Sequence, residues 1–200
     1  MKHFLLIYSL VILPFFISAQ IAKKQIIYTE VGIGIGSYTE IKVSLNYIHK
    51  KKFSFQVGFS ELKRKSASTP SDYGNYSYFL NFFGPPPYER QYSYEFLIGK
   101  LISFEAQNTF RINFKIGLAF SKIHTPVNFQ KSTSWLWGSS YTFDLKEERK
   151  ISLIIEPTIE LPFSRVFGIS FTPFFKVNSE IFVWGIRLNV ILGLLKESAE

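Results

Sequence analysis

Along most of this chain apolar and polar residues take strict turns, and few folds accept that. From Ile27 the odd positions read Ile27, Thr29, Val31, Ile33 and Ile35; the even ones read Tyr28, Glu30, Gly32, Gly34 and Gly36. Successive side chains of a strand point to opposite faces, so a period of two describes a strand with one apolar face. The alternation returns at 41–47, 53–60, 94–99, 110–121, 151–161, 167–176 and 182–193. That makes about eight strands, most of them near the roughly 9–11 residues a strand needs to cross a bilayer and longer than the usual 5–6.

The run "VGIGIG" (31–36) invites a second reading, a glycine loop that cradles a phosphate. Such a loop lies in a turn between strand and helix. Here the glycines lie within the alternation, no helical pattern follows, and Ser37 stands where G-x-G-x-x-G needs its last glycine. The run is a strand.

The character of the two faces decides the solvent. A soluble barrel hides its apolar face and covers the other with Lys, Glu and Asp. A membrane barrel turns the apolar face to lipid and keeps a polar interior. In this chain the second face is mostly Gly, Ser, Thr, Asn and Ala, which suits a crowded interior. The apolar face is bulky and aromatic: aromatic residues make up 18% of the chain, with 22 Phe and 11 Tyr. Charged residues make up 19%, against about 25% in a typical soluble domain. Lys100 is a charge on the apolar face, near a strand end where a long side chain reaches the interface. After residue 20 no apolar stretch is long enough for a spanning helix, so a closed barrel is the remaining way to satisfy the backbone in lipid. The expected fold is an all-β, antiparallel up-and-down transmembrane β-barrel. The alternative is a soluble periplasmic β-barrel with a hydrophobic ligand inside its aromatic stripe.

The start of the chain reads differently. Lys2 and His3 precede an apolar stretch from Phe4 to Ile17, then Ser18 and Ala19. That is the layout of a secretory signal peptide over residues 1–19, cleaved near Ala19. The stretch is too short to anchor, and Pro14 interrupts it. Residues 20–200 form one barrel domain. The chain has no cysteine, which removes disulfides, thiolate metal sites and a lipidated cysteine.

The formal net charge is +8. Its clusters, Lys50 to Lys52 and Lys63 to Lys65 with Arg64, are short and sit between strands. No basic helix or RNA-binding motif accompanies them, so nucleic acid is not an expected partner. Solvated turns and anionic lipid headgroups are.

Connection lengths sort by side. Short turns at 49–52, 105–109 and 162–165 fall together with both termini, and two long segments, about 62–91 and 122–150, fall on the opposite, extracellular side. Both long segments contain alternation of their own, "YSYFLNFF" (76–83) and "SWLWGSSYTFDL" (134–145), so the expectation is eight strands with hairpins protruding above the membrane, and ten strands is the alternative.

In this pattern the chain resembles the small outer-membrane β-barrel proteins of Gram-negative bacteria, especially the barrel-domain proteins common in the Bacteroidota. The resemblance rests on "SAQ", "YEFLIGKLISF", "RINFKIGLAFS", "IEPTIELPFSRVFGISFTPFFKVNSE" and "FVWGIRLNVILGLL". It implies integral outer-membrane localisation, with membrane lipid, lipopolysaccharide and the barrel assembly machinery as neighbours. Many such barrels end on an aromatic residue that the assembly machinery reads. This one ends "LLKESAE", which implies a signal a few residues inward or a weak one.

Three constellations could carry a function. By strand parity Glu30, Lys42, Glu95, Lys115, Glu156, Glu160 and Arg187 point inward. A barrel of eight strands is just wide enough for side chains to fill it, and charges there should pair as a structural plug. The competing readings are an ion path and an acid–base site; Glu156 and Glu160, about 13 Å apart along one strand, are too far for a dyad. The second constellation is His124 with Ser121, Ser132, Ser134 and Asp144. The resemblance extends to barrels that modify lipid A with a Ser/His or His/Asp/Ser site at the outer rim, so His124 is the weak catalytic candidate. The third is the aromatic set Tyr76, Tyr78, Phe82, Phe83, Trp135 and Trp137 in the long segments, a contact surface for a protein partner or a rim girdle. No cofactor is expected, and the three histidines offer no metal site. The expected function is therefore non-enzymatic, structural or surface-contact through the long segments; the alternatives are a lipid A-modifying enzyme and a narrow channel.

Overall fold

The computed structural model describes residues 25–70, 87–104, 110–134 and 138–195. They form eight strands: β1 (Gln25–Gly36), β2 (Thr39–His49), β3 (Phe53–Lys65), β4 (Tyr88–Ser103), β5 (Arg111–Ser134), β6 (Gly138–Pro162), β7 (Phe167–Val177) and β8 (Phe182–Leu194). Each pairs antiparallel with the next, and β8 pairs with β1, so the sheet closes. The fold is an eight-stranded, all-antiparallel up-and-down barrel.

The alternation decides which face looks inward. In β2 the residues from Glu40 to Ile48 are buried at every second position and open between. The buried set is mostly polar, and the open set holds Ile33, Ile35, Phe55, Phe96, Ile98, Leu188 and Trp184. Gly32 and Gly34 lie on the buried face. A Cβ on Gly32 would stand 1.9 Å from Asn189 Oδ1 and 2.8 Å from the Leu188 carbonyl; one on Gly34 would crowd Phe174 and Glu40. The glycines of "VGIGIG" make room for lumen side chains.

Both termini of the described barrel lie at one end, here the terminal end, with the turns after β2, β4 and β6. The β2–β3 turn is tight: Lys52 N–H donates to the His49 carbonyl at 3.0 Å, with Lys50 and Lys51 both at positive φ. That is type I′ geometry, which asks for Asn-Gly and here is built from two lysines.

The far end carries the longer pieces. β3 runs to Lys65 and β4 starts at Tyr88, so the first long segment is 66–87; residues 71–86, with Tyr76, Tyr78, Phe82 and Phe83, lie outside the described residues. The second long segment is the expected protruding hairpin. Residues 122–150 are mostly ladder: β5 and β6 continue as a hairpin through Lys122↔Arg149 to Ser134↔Gly138, with one bulge between Val127 and Gln130. "SWLWGSSYTFDL" adds no strands; it holds the hairpin tip, and Trp135 and Trp137 lie outside the described residues. One alternating pattern serves wall and protrusion alike, and β5 leaves its β4 partner after His124, close to the expected start at about 122.

The β6–β7 ladder has a gap. Pairing is regular at Ile155↔Phe175 and again at Ile159↔Phe171. Midway, Pro157 and Pro173 stand opposite each other, and neither has an N–H to donate.

Candidate functional site

The lumen is the best-built polar feature of the molecule. Parity alone sends Glu30, Lys42, Glu95, Lys115, Glu156, Glu160 and Arg187 inward, and all seven are buried there. Three more join them: Glu40, Arg111 and Lys176. Sequence reasoning passed over these three although parity carries to each. Glu40 falls between the alternating runs that end at Gly36 and resume at Ile41, yet it lies two residues before Lys42. Arg111 and Lys176 alternate with Phe110, Ile112 and Phe175.

Eight of the ten groups form one network, which Lys115 joins through Glu156 at 3.9 Å, and Arg111 with Glu160 forms a separate pair. Lys42 Nζ lies 2.5 Å from Glu95 Oε2 and 2.6 Å from Glu156 Oε1. Lys176 Nζ bridges Glu40 at 2.7 Å and Glu95 at 2.6 Å, and also donates to Ser60 Oγ at 3.0 Å. Arg187 reaches Glu40 at 2.5 Å and Glu156 at 3.0 Å. Lys115 donates to Gln56 at 2.5 Å and lies 3.6 Å from Glu30, which also accepts from Asn46 and Ser170. Nearer the terminal end Glu160 accepts from Arg111 at 2.5 Å, Tyr28 at 2.6 Å and Asn113 at 3.1 Å. Five carboxylates face five cations. A buried charge without a partner is costly, so this balance is what lets an interior so polar exist.

Apolar plates close the network at both ends. Ile26, Tyr28, Ile48, Leu101, Ile191 and Leu195 cluster at the terminal end. Tyr38, Leu62, Phe174 and Val183 cluster at the far end. Above the far plate Tyr38 Oη donates to Glu89, whose other oxygen accepts from Arg64 at 3.0 Å, and the Arg64 guanidinium lies 4.5 Å over the Tyr38 ring. Burial, then the Glu89 carboxylate, holds the Tyr38 hydroxyl above its ordinary pKa, so it stays protonated as the donor. Packed this way the lumen can hold charge in place.

His124 has a different setting. It lies on the outer face of β5, edge-on to Tyr92 at 5.8 Å, with Nε2 3.8 Å from Glu147. Ser121 lies on the opposite, inner face and hydrogen-bonds Ser93 and Gln91. Asp144 accepts from Asn128. A histidine and a serine on opposite sides of one wall do not form a nucleophile–base pair.

No family model and no curated protein matches the chain. Solved structures do. The N-terminal β-barrel domain of Pseudomonas aeruginosa OprF aligns over 85% of this chain and 97% of its own, with TM-score 0.53 and 13% identity. Ail, the attachment invasion locus protein of Yersinia pestis, aligns over 86% of this chain and 99% of its own, with TM-score 0.48 and 9% identity. Neisserial surface protein A aligns over 85% and 96%, with TM-score 0.48 and 11% identity. At such identities the likeness to the OprF domain speaks to fold alone: this chain has the fold of a small, closed outer-membrane β-barrel.

Proposed function

We propose that this chain is an integral outer-membrane β-barrel with a structural or surface-contact role and no catalytic one. The observation that carries the reading is its inside-out polarity. Ten charges are enclosed, while the outer wall exposes Ile35, Ile98 and Leu188 at 60–75% of their surface (72%, 61% and 61%) and carries exposed aromatic side chains such as Phe55, Phe96, Phe120 and Trp184. In water such a belt is far larger than the few hundred Å² a soluble monomer tolerates. In a bilayer it is the required surface.

Location in the outer membrane is supported by the barrel fold, by the signal-like start and by the sequence resemblance. The terminal end, with its short turns, then faces the periplasm. The β5–β6 hairpin and the segment 66–87 face outward, and they are where a partner would meet the protein. The apolar plates argue against a channel, and the separation of His124 from Ser121 argues against the lipid A-modifying enzyme.

The test starts from expression with the native start of the chain. The protein should sediment with outer membranes and migrate faster unheated than boiled. Recovery in the soluble periplasm with no mobility shift would overturn the proposal. In planar bilayers the folded protein should be electrically silent. Replacing His124 with Ala should leave the lipid A mass spectrum unchanged.

A further inference from the structure

Outward-facing cations at the far rim are confined to one half of the barrel. Across β3, β4, β5 and β6 two adjacent registers read Lys63–Arg90–His124–Glu147 and Glu61–Tyr92–Lys122–Arg149. Between them on β3, β4 and β5 lie Leu62, Gln91 and Ile123, all buried, and Glu147 and Arg149 of β6 stand beside His124 and Lys122, so these side chains leave the wall on its outer face. On the other half the outermost such positions are Ile35, Thr39, Val177, Phe182 and Trp184, none of them charged.

The level of the arc matters. In the register just below it stand Phe59, Tyr94, Phe120 and Ile151, the top of the apolar belt. Tyr92 joins the two zones, with its ring 6.4 Å from Phe59. Aromatic girdles mark the membrane interface, so the row directly above lies at headgroup depth. Neighbouring strands are about 4.8 Å apart and alternate residues about 6.6 Å, so the four cations span roughly 16 Å, a headgroup-sized patch.

The local charges do not cancel. Lys63 pairs with Glu61 at 3.0 Å. Glu147 serves three groups: Lys122 at 2.9 Å, His124 at 3.8 Å and Arg149 at 3.9 Å. Arg90 has no ion-pair partner among the described residues, and the Arg149 side chain is 85% exposed. Four cations against two carboxylates leave an excess of positive charge at one membrane level on one side. A merely solvated rim has no reason to gather it there.

We infer that Lys63, Arg90, Lys122 and Arg149 form a binding site for the phosphate groups of an anionic lipid of the outer leaflet. Arginine offers a planar fork to phosphate and lysine a point charge, while Tyr92 and Phe59 lie against the lipid below. Glu147 competes with the phosphate for three of the neighbouring side chains. The inference rests on the membrane reading above, and its test separates the two.

The experiment uses the full chain, folded in phosphatidylcholine nanodiscs doped with diphosphoryl lipid A or with the same lipid stripped of its phosphates. Native mass spectrometry counts the lipid retained. The phosphorylated form should be retained in preference, and R90Q and K122Q should each lower its retention about fivefold. E147Q should raise it, a gain that no folding defect can imitate. Replacing Lys50, Lys51 and Lys52 by Gln at the terminal end should change nothing. Equal retention of both lipids, or retention unmoved by both R90Q and E147Q, in protein that still shifts on boiling, would overturn the site. Protein that never shifts would instead overturn the membrane reading.

Discussion

Replacing Lys42 by Met tests whether the lumen is held by charge balance. The Lys42 ammonium touches Glu95 and Glu156 at 2.5 and 2.6 Å. At an effective dielectric near 20, each such contact is worth about 6 kcal/mol before desolvation. Both carboxylates keep other cations, Lys176 at 2.6 Å for Glu95 and Arg187 at 3.0 Å for Glu156, so much of that is retained. The expected net loss is the buried-pair figure of about 3–5 kcal/mol. E95Q should cost a similar amount, because it strands part of Lys42 and Lys176. The double variant removes one charge of each sign and restores the balance at four against four. Its cost should fall short of the sum of the singles by at least about 2 kcal/mol. The assay is reversible urea unfolding in lipid vesicles, followed by tryptophan fluorescence. Singles that cost under about 1 kcal/mol, or a double that equals their sum, would show the groups to be independent and the reasoning wrong.

Other outcomes follow from the same geometry. L188R places a charge on the lipid face, where it should cost about 2–4 kcal/mol near mid-bilayer; on a water-facing wall the same change would stay within about 0.5 kcal/mol, so the unfolding free energy tells the two apart. G32V drives a side chain into Asn189 and the Leu188 carbonyl, so the heat-shifting form on an unheated gel should be lost. K50N with K51G relieves two left-handed lysines in a type I′ turn and should add about 1 kcal/mol, read from the urea midpoint. Glu147 and Glu148 on the hairpin are held below the usual carboxylate pKa, first by hydrogen bonds from Lys122 and Lys146. Depressed carboxylates stabilise above their unfolded pKa and lose that contribution as pH falls through the folded one. Hydrogen exchange at 144–150, corrected for intrinsic rate, should therefore quicken as pH drops below the ordinary carboxylate range, while the β1–β2 ladder is unaffected.

The wall was legible because a period of two is a local property, readable from Ile41 to Tyr47 without knowing what pairs with what. Strand number was less so: the ladder from Lys122 to Arg149 alternates in the wall's own rhythm, and only the absence of a β4 partner beyond His124 marks where the wall ends. The inward direction of Glu30 or Arg187 follows from parity, but their partners do not. Tyr28 and Glu160 are 132 residues apart in sequence, and Arg187 and Glu40 are 147 apart. Such pairs depend on closure and register, which local pattern leaves open. The rim cations were hidden for a related reason. Lys63, Arg90, Lys122 and Arg149 lie in four separate strands and look like isolated surface charges until register aligns them.

The seam between β8 and β1 gives the ion network a second meaning. Along an open sheet β2 and β8 are six strands apart, roughly 29 Å at about 4.8 Å per strand. In the closed barrel Arg187 of β8 and Glu40 of β2 are 2.5 Å apart. Glu30 of β1 and Ser170 of β7, or Tyr28 of β1 and Glu160 of β6, likewise meet only across the finished lumen. A half-built sheet therefore carries its charges unanswered, and a seam closed two residues out of step pushes Asn189 away from the notch at Gly32. Such a lumen works as a combination lock: assembly can stall before the last seam, but it gains nothing from closing on the wrong number.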